Sequence, residues 1–195
     1  MNTLKTHKSV PSIRKQGFTF VETLVAITVL LVAIVAPMSL AQDGIVAARL
    51  AQDQIVAFYL GQEGIEVVKN LRDNNRLINA AGGQLSGAEL SNCTVSDPES
   101  AEEGCIVDAS QAPGGQFYTE RCSGGCEPIR LRDATPRMYL YSTTGSVATK
   151  YTREVKVWNP TADINEAVVE VTVSWLFGKS GLIKTYKVRD YLYNW

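Results

Sequence analysis

The stretch FTFVETLVAITVLLVAIVAPMSLA, residues 18–41, decides the fold. Eighteen of its 24 residues are apolar and only Glu22 is charged. At about 1.5 Å per residue, a helix of this length reaches about 36 Å, enough to cross a hydrocarbon layer about 30 Å thick. No later stretch repeats such a run, so the sequence predicts a single membrane span. Upstream, residues 1–17 hold Lys5, Lys8, Arg14 and Lys15 and no acid, whereas the first acid beyond the block is Asp43. The positive-inside bias then keeps the N-terminus cytoplasmic and exports the chain beyond the span. A secretory signal is the rival reading, with Pro37, Ser39 and Ala41 imitating a cleavage region. Such signals have a core of about 7–15 residues, shorter than this block, which also carries a carboxylate near its start.

Glu22 is the residue that an anchor does not need. A carboxylate at mid-bilayer costs on the order of 2.5–3.5 kcal/mol, so a partner or a use is the first hypothesis, with hydration near the interface as the plain alternative. Its context is Lys15-Gln16-Gly17-Phe18-Thr19-Phe20-Val21-Glu22-Thr23-Leu24. A short basic leader ends in glycine, an aromatic residue follows, and a glutamate stands four positions on, at the start of a long apolar helix. In this pattern the chain resembles the type IV pilin and pseudopilin family over residues 1–76, and beyond them only in architecture. The resemblance implies an α+β, pilin-like fold with a long N-terminal helix packed on a C-terminal antiparallel sheet. It implies cleavage between Gly17 and Phe18 by a prepilin peptidase, N-methylation of the new Phe18 amine, and pairing of that amine with Glu22 of a neighbouring subunit. Its implied partners are the peptidase/N-methyltransferase, other pilin subunits, the pilus or secretion assembly machinery and membrane lipid. A buried carboxylate is tolerable when paired, and pairing across subunits would also fix axial register. Thr19 and Thr23 are placed to add local hydrogen bonds, while Pro37 removes an amide donor and is expected to kink or loosen the helix.

Residues 42–76 keep a helical period but become amphipathic. Ala57, Leu60, Gly61, Gly64, Val68 and Leu71 recur at spacings of three and four, while Gln62, Glu63, Glu66, Lys69 and Arg72 fall mostly elsewhere. Gly61 and Gly64 each cost about 1 kcal/mol of helix propensity relative to alanine, which predicts close approach by a sheet or another helix. Asp73, Asn74 and Asn75 supply terminating chemistry. A helix from residue 18 to 75 would be about 85 Å long if unbroken. A globular monomer has no use for that length with half of it in lipid, and a fibre subunit does.

Residues 77–136 read as a loop region rather than core, rich in glycine and proline and holding every cysteine. On the exported side of a membrane, Cys93, Cys105, Cys122 and Cys126 read as candidate disulfides. Three connectivities are open, and pairing 93 with 105 and 122 with 126 closes the shortest loops. A four-cysteine zinc site is the rival, but only Cys122-Ser-Gly-Gly-Cys126 approaches a metal knuckle.

From residue 137 the period changes to two, predicting strands at residues 137–143, 151–158, 167–177 and 182–192. Val169, Val171, Val173 and Trp175 share one face of the third, with Glu170, Thr172 and Ser174 on the other. Gly178-Lys179-Ser180-Gly181 reads as the hairpin that joins the last two strands. Tyr191, Tyr193 and Trp195 form an aromatic end, read as edge packing or as an interaction surface.

No catalytic constellation is legible, so the sequence predicts no enzyme, no cofactor and no metal. The one histidine, His7, lies in the leader, which denies the mature chain a Ser-His-Asp or Cys-His mechanism. Glu102 and Glu103 look solvated, and the Gly-Gly pairs at 82, 114 and 124 lack a phosphate-loop context. Arg121, Arg130, Arg132 and Arg137 form a loose basic cluster. The whole chain, 195 residues with 19 basic and 20 acidic, is nearly neutral. Without its leader it holds 15 basic against 20 acidic residues, which disfavours general nucleic-acid affinity. The reading is a minor type IV pilin-like subunit, first a single-pass inner-membrane precursor and then part of a filament. A pseudopilin of a type II secretion or DNA-uptake apparatus, or a plain membrane-anchored exported binding domain, is the alternative.

Overall fold

A computed structural model describes residues 17–78, 90–99, 101–108, 110, 118–160, 166–178 and 181–193. The Gly-Gly pairs at 82 and 114, His7 and Trp195 lie outside these residues. One helix, α1 (Phe20–Ile78), is followed by β1 (Cys105–Asp108), β2 (Tyr118–Arg121), β3 (Pro128–Arg132), β4 (Tyr139–Leu140), β5 (Ser146–Trp158), β6 (Glu166–Phe177) and β7 (Leu182–Tyr193). The fold is α+β, with the long apolar N-terminal helix and the antiparallel sheet that the pattern predicts. The chain divides into a compact unit of residues 1–48 and a second of residues 49–195.

In the first unit the helix continues through Pro37. Its large apolar side chains from Phe18 to Leu40 are 51–81% exposed. Among the described residues it is the one helix long and apolar enough to cross a membrane. Its helical threonine hydroxyls are satisfied locally: Thr23 Oγ1 donates to the Phe20 carbonyl and Thr28 Oγ1 to the Val25 carbonyl, both at 2.8 Å. That removes the cost of carrying bare hydroxyls into an apolar medium.

In the second unit, α1 lies on the sheet from Asp53 to Leu71. Ala57, Leu60, Val68 and Leu71 are buried, as the helical stripe predicts. The two glycines explain themselves by distance. A β-carbon on Gly61 would stand 3.1 Å from Tyr186 Cε1 and 3.2 Å from Val188 Cγ1, and one on Gly64 3.0 Å from Val171 Cγ1. The sheet order runs β7, β6, β5, after which β3 with β4 and β1 with β2 pair along successive parts of β5. Val155 opposite Val171 opposite Val188 forms a row beneath the helix. Each fully buried valine or leucine of this layer contributes about 1.5–3 kcal/mol.

Two expectations need correction. Residues 77–136 are not merely loop: β1, β2 and β3 lie there, and Cys105, Ile106, Val107 and Ile129 are buried. All four β1 residues are buried, so the strand carries no period-two signature to read. The strand expected over residues 137–143 is only Tyr139–Leu140. The next begins at Ser146, five residues before the expected start, just after Gly145 at φ 65°. The β6–β7 hairpin stands as predicted, with Phe177 opposite Leu182 and positive φ at Gly178 and Gly181.

Buried polar groups pin the layers together. Arg153, on the helix-facing side of β5, donates from Nη1 to the Leu60 carbonyl at 3.1 Å and from Nη2 to the Val107 carbonyl at 2.6 Å. Its Nη1 also lies 3.4 Å from Glu63 Oε2. Asp108 accepts from the Tyr141 amide at 2.7 Å and from Ser110. Asp53 accepts from the Tyr151 hydroxyl at 2.9 Å and pairs with Lys150 at 2.5 Å. Burial and the Asp53 hydrogen bond push the Tyr151 phenol upward.

On the outer face Glu170, 4% exposed, pairs with Lys187 at 3.1 Å and Arg189 at 2.5 Å. Burial pushes its carboxyl up, but the Arg189 and Lys187 hydrogen bonds outweigh burial and hold it below the usual 4.5. A carboxyl with a depressed folded value contributes stability above its unfolded value and loses it as pH falls through the folded one. Acidification below about pH 4.5 should therefore remove stability, and Glu170→Gln should flatten that loss in pH-dependent denaturation. A β-carbon on Gly104 would meet the Val155 carbonyl oxygen at 2.2 Å. Gly104→Ala should thus cost about 1–3 kcal/mol in chemical denaturation, and an unchanged midpoint would show that this contact yields.

Candidate assembly site and the disulfide-braced edge

The predicted processing and assembly residues lie together at the start of α1. Gly17, Phe18 and Thr19 stand outside the helix and are exposed, Phe18 by 80%. Thr19 occupies the N-cap. Its Oγ1 accepts from the Glu22 amide at 3.3 Å, and its carbonyl accepts the first helical hydrogen bond from the Thr23 amide at 3.2 Å. This is one half of a capping box, in which threonine and the glutamate three residues later mark a helix N-terminus. Glu22 thereby falls in the first turn, where the positive end of the helix dipole favours its negative charge by about 0.3–1 kcal/mol. The carboxylate sits one turn from the peptide bond between Gly17 and Phe18, at the edge of the apolar segment. An amine created at Phe18 would be two residues ahead of the helix.

The four cysteines form two bonds, Cys93–Cys105 and Cys122–Cys126. This is the shortest-loop connectivity among the three, and no cysteine remains as a free thiol. The first bond ties the 3-10 turn Ser91–Cys93 to the buried strand β1. The second closes the turn between β2 and β3. Within it Gly124 and Gly125 adopt φ of 75° and 103°, conformations that favour glycine. Their amides donate to the Glu103 carboxylate at 2.9 and 2.7 Å.

Glu102 and Glu103 are therefore not simply solvated. Glu103 is the anion of a backbone cradle, and Glu102 accepts from the Ser96 amide at 2.6 Å. The hydrogen bonds from Ser96 lead the effects that hold the Glu102 carboxyl below its ordinary value. Arg121 does not join an open basic patch either: its guanidinium donates to the carbonyls of Glu103, Ser91 and Thr94 at 2.9–3.1 Å. Arg130 is engaged by Ser146. Sequence reasoning missed these braces because all but the Ser96–Glu102 bond, which spans six positions, join residues more than 15 positions apart.

Residues 13–36 match the family model described as the prokaryotic N-terminal methylation motif. That motif, at the start of a membrane-capable helix in an α+β chain, is the signature of type IV pilins and pseudopilins. By this signature the chain is similar to pilin and pseudopilin precursors, and the motif's family is structural rather than enzymatic. The motif implies processing by a prepilin peptidase and assembly with other pilins. No curated protein and no solved structure matches the chain.

Cys93 and Cys105 are both fully buried, whereas Cys122 is 8% exposed and Cys126 only partly buried. Reductant applied without denaturant should open Cys122–Cys126 first, as alkylation and peptide mass spectrometry would read. Simultaneous loss of both bonds would contradict that order.

Proposed function

We propose that the protein is a structural, minor type IV pilin-like subunit of a pilus or pseudopilus. It waits as a single-pass inner-membrane precursor with its basic leader in the cytoplasm and its sheet-bearing unit exported. Prepilin peptidase cuts between Gly17 and Phe18, and the Phe18 amine is N-methylated. The mature helix then leaves lipid for a bundle of neighbouring helices. There the amine of one subunit meets Glu22 of the next, a heterologous contact that propagates into a filament instead of closing.

One observation carries this reading: an exposed apolar helical segment, residues 20–41, whose lone carboxylate, Glu22, stands in the first turn, four residues beyond the motif's aromatic residue. A lipid anchor gains nothing from that carboxylate. A subunit that must choose one axial register gains a charge pair that is costly to misalign, since leaving one member of a buried pair alone costs about 3–5 kcal/mol. The exposed segment Gly17 to Thr19 supports the processing step, because a protease must reach a peptide bond that is not held in a helix.

Glu22→Ala should leave membrane insertion intact or improved, as the substitution removes a charge from an apolar segment. It should lower recovery of the subunit in sheared or purified filaments by about tenfold or more. Membrane fractionation alongside filament immunoblotting checks both arms, and undiminished incorporation would remove the register role from Glu22.

A further inference from the structure

The side of the sheet turned away from α1 changes character along its length. At one end, Tyr191 and Tyr193 project from β7 with 54% and 41% exposure. Their ring planes lie within 14° of each other, with centroids 6.5 Å apart. Beside them the Arg189 guanidinium lies 5.6 Å over the Trp158 ring. Two near-parallel exposed rings present flat apolar area together with hydroxyl groups, the combination that anchors ligands with one apolar face and polar edges.

The middle of the face is a set of donors held in place. Glu170 is buried, yet the Lys187 and Arg189 side chains that clamp it are 58% and 55% exposed. Their positions are fixed by one carboxylate, which cancels one of their two charges. At the other end, beside the Cys122–Cys126 turn, Thr152, Thr172, Ser174 and Glu154 line a groove of about 300 Å³. That end supplies hydroxyls, which donate and accept, and carboxylates, which accept.

Charge narrows the ligand. Lys156, Lys187 and Arg189 face Glu103, Glu154 and Glu170, and Glu99 is close enough to act on Arg189. A balanced or acidic face gives a polyanion no counterion-release advantage, which argues against a nucleic-acid strand. A ligand with flat C–H faces for the tyrosines, many hydroxyls for the mixed donors and acceptors, and no charge fits all three segments. We propose that this outer face binds a neutral oligosaccharide, with Tyr191 and Tyr193 as its stacking platform and Lys187, Arg189 and the Thr/Ser groove reading its hydroxyls. This does not depend on the filament reading.

The test uses the full chain in a zwitterionic detergent that contains no sugar. Immobilised cellotetraose, maltotetraose and chitotetraose serve as neutral probes, with a sialylated oligosaccharide and a single-stranded DNA oligonucleotide as charged ones. At least one neutral probe should be retained, with weak dependence on salt. Tyr191→Ala should weaken retention about tenfold, and Tyr191→Phe should restore most of it. Near-UV circular dichroism confirms that the variants keep the fold, and Lys187→Ala provides a second variant that leaves the rings in place and should also weaken retention. Three results would each overturn the proposal: no neutral probe held, retention of the charged probes alone, or neutral binding indifferent to Tyr191→Ala.

Discussion

Between Phe18 and Leu40 the large apolar side chains are more than half exposed, and none of the described side chains of this stretch is buried as those from Ala57 to Leu71 are against the sheet. Apolar area of this extent is covered by lipid or by other helices, because water is the one medium in which it is not stable. Apart from the amide donor that Pro37 lacks, the helix satisfies the segment's backbone internally, Thr23 and Thr28 bond back to the preceding turn, and the sole charge is displaced to the first turn. Each local feature allows the segment to pass between a bilayer and a helix bundle, whose interiors make similar demands on the backbone.

The sheet-bearing unit solves a different problem, which is to grip one side of a helix with a modest core. Gly61 and Gly64 let the backbone approach Tyr186, Val188 and Val171 to within van der Waals contact. Arg153 then spans the layers by serving carbonyls on α1 and β1 at once. The short strands gain rigidity from the Cys93–Cys105 bond, the Cys122–Cys126 turn and the Glu103 cradle. Its apolar layer is small, and covalent and polar braces supplement it where β1, β2 and β3 are too short to hold themselves.

Local patterns were readable in the sequence, and long-range ones were not. The helical stripe, the two glycines, the faces of β6 and the β6–β7 hairpin follow from periodicity within one element. The site at Phe18 and Glu22 is likewise compact enough to read as a motif, although the helix starts at Phe20 instead of residue 18, with Thr19 as its cap. By contrast, Cys105-Ile106-Val107-Asp108 is buried on both faces, so it carries no alternation, and β3 opens with a proline. Arg153 was the most accessible omission. The same alternation that puts Tyr151, Val155 and Val157 on the inner face puts Arg153 there too, and a guanidinium among valines announces a buried network. The Glu103 cradle left no comparable local sign, because its carboxylate and amides are some 20 residues apart.

The central claim is that this chain is processed at one bond and enters a filament through the end so created. The most direct measurement is mass spectrometry of the N-terminal peptide, taken from the full-length protein made in cells that possess prepilin peptidase. The account predicts a chain beginning at N-methylated Phe18. Retention of Met1, or an N-terminus after Ala41 as a secretory signal would leave, would contradict it.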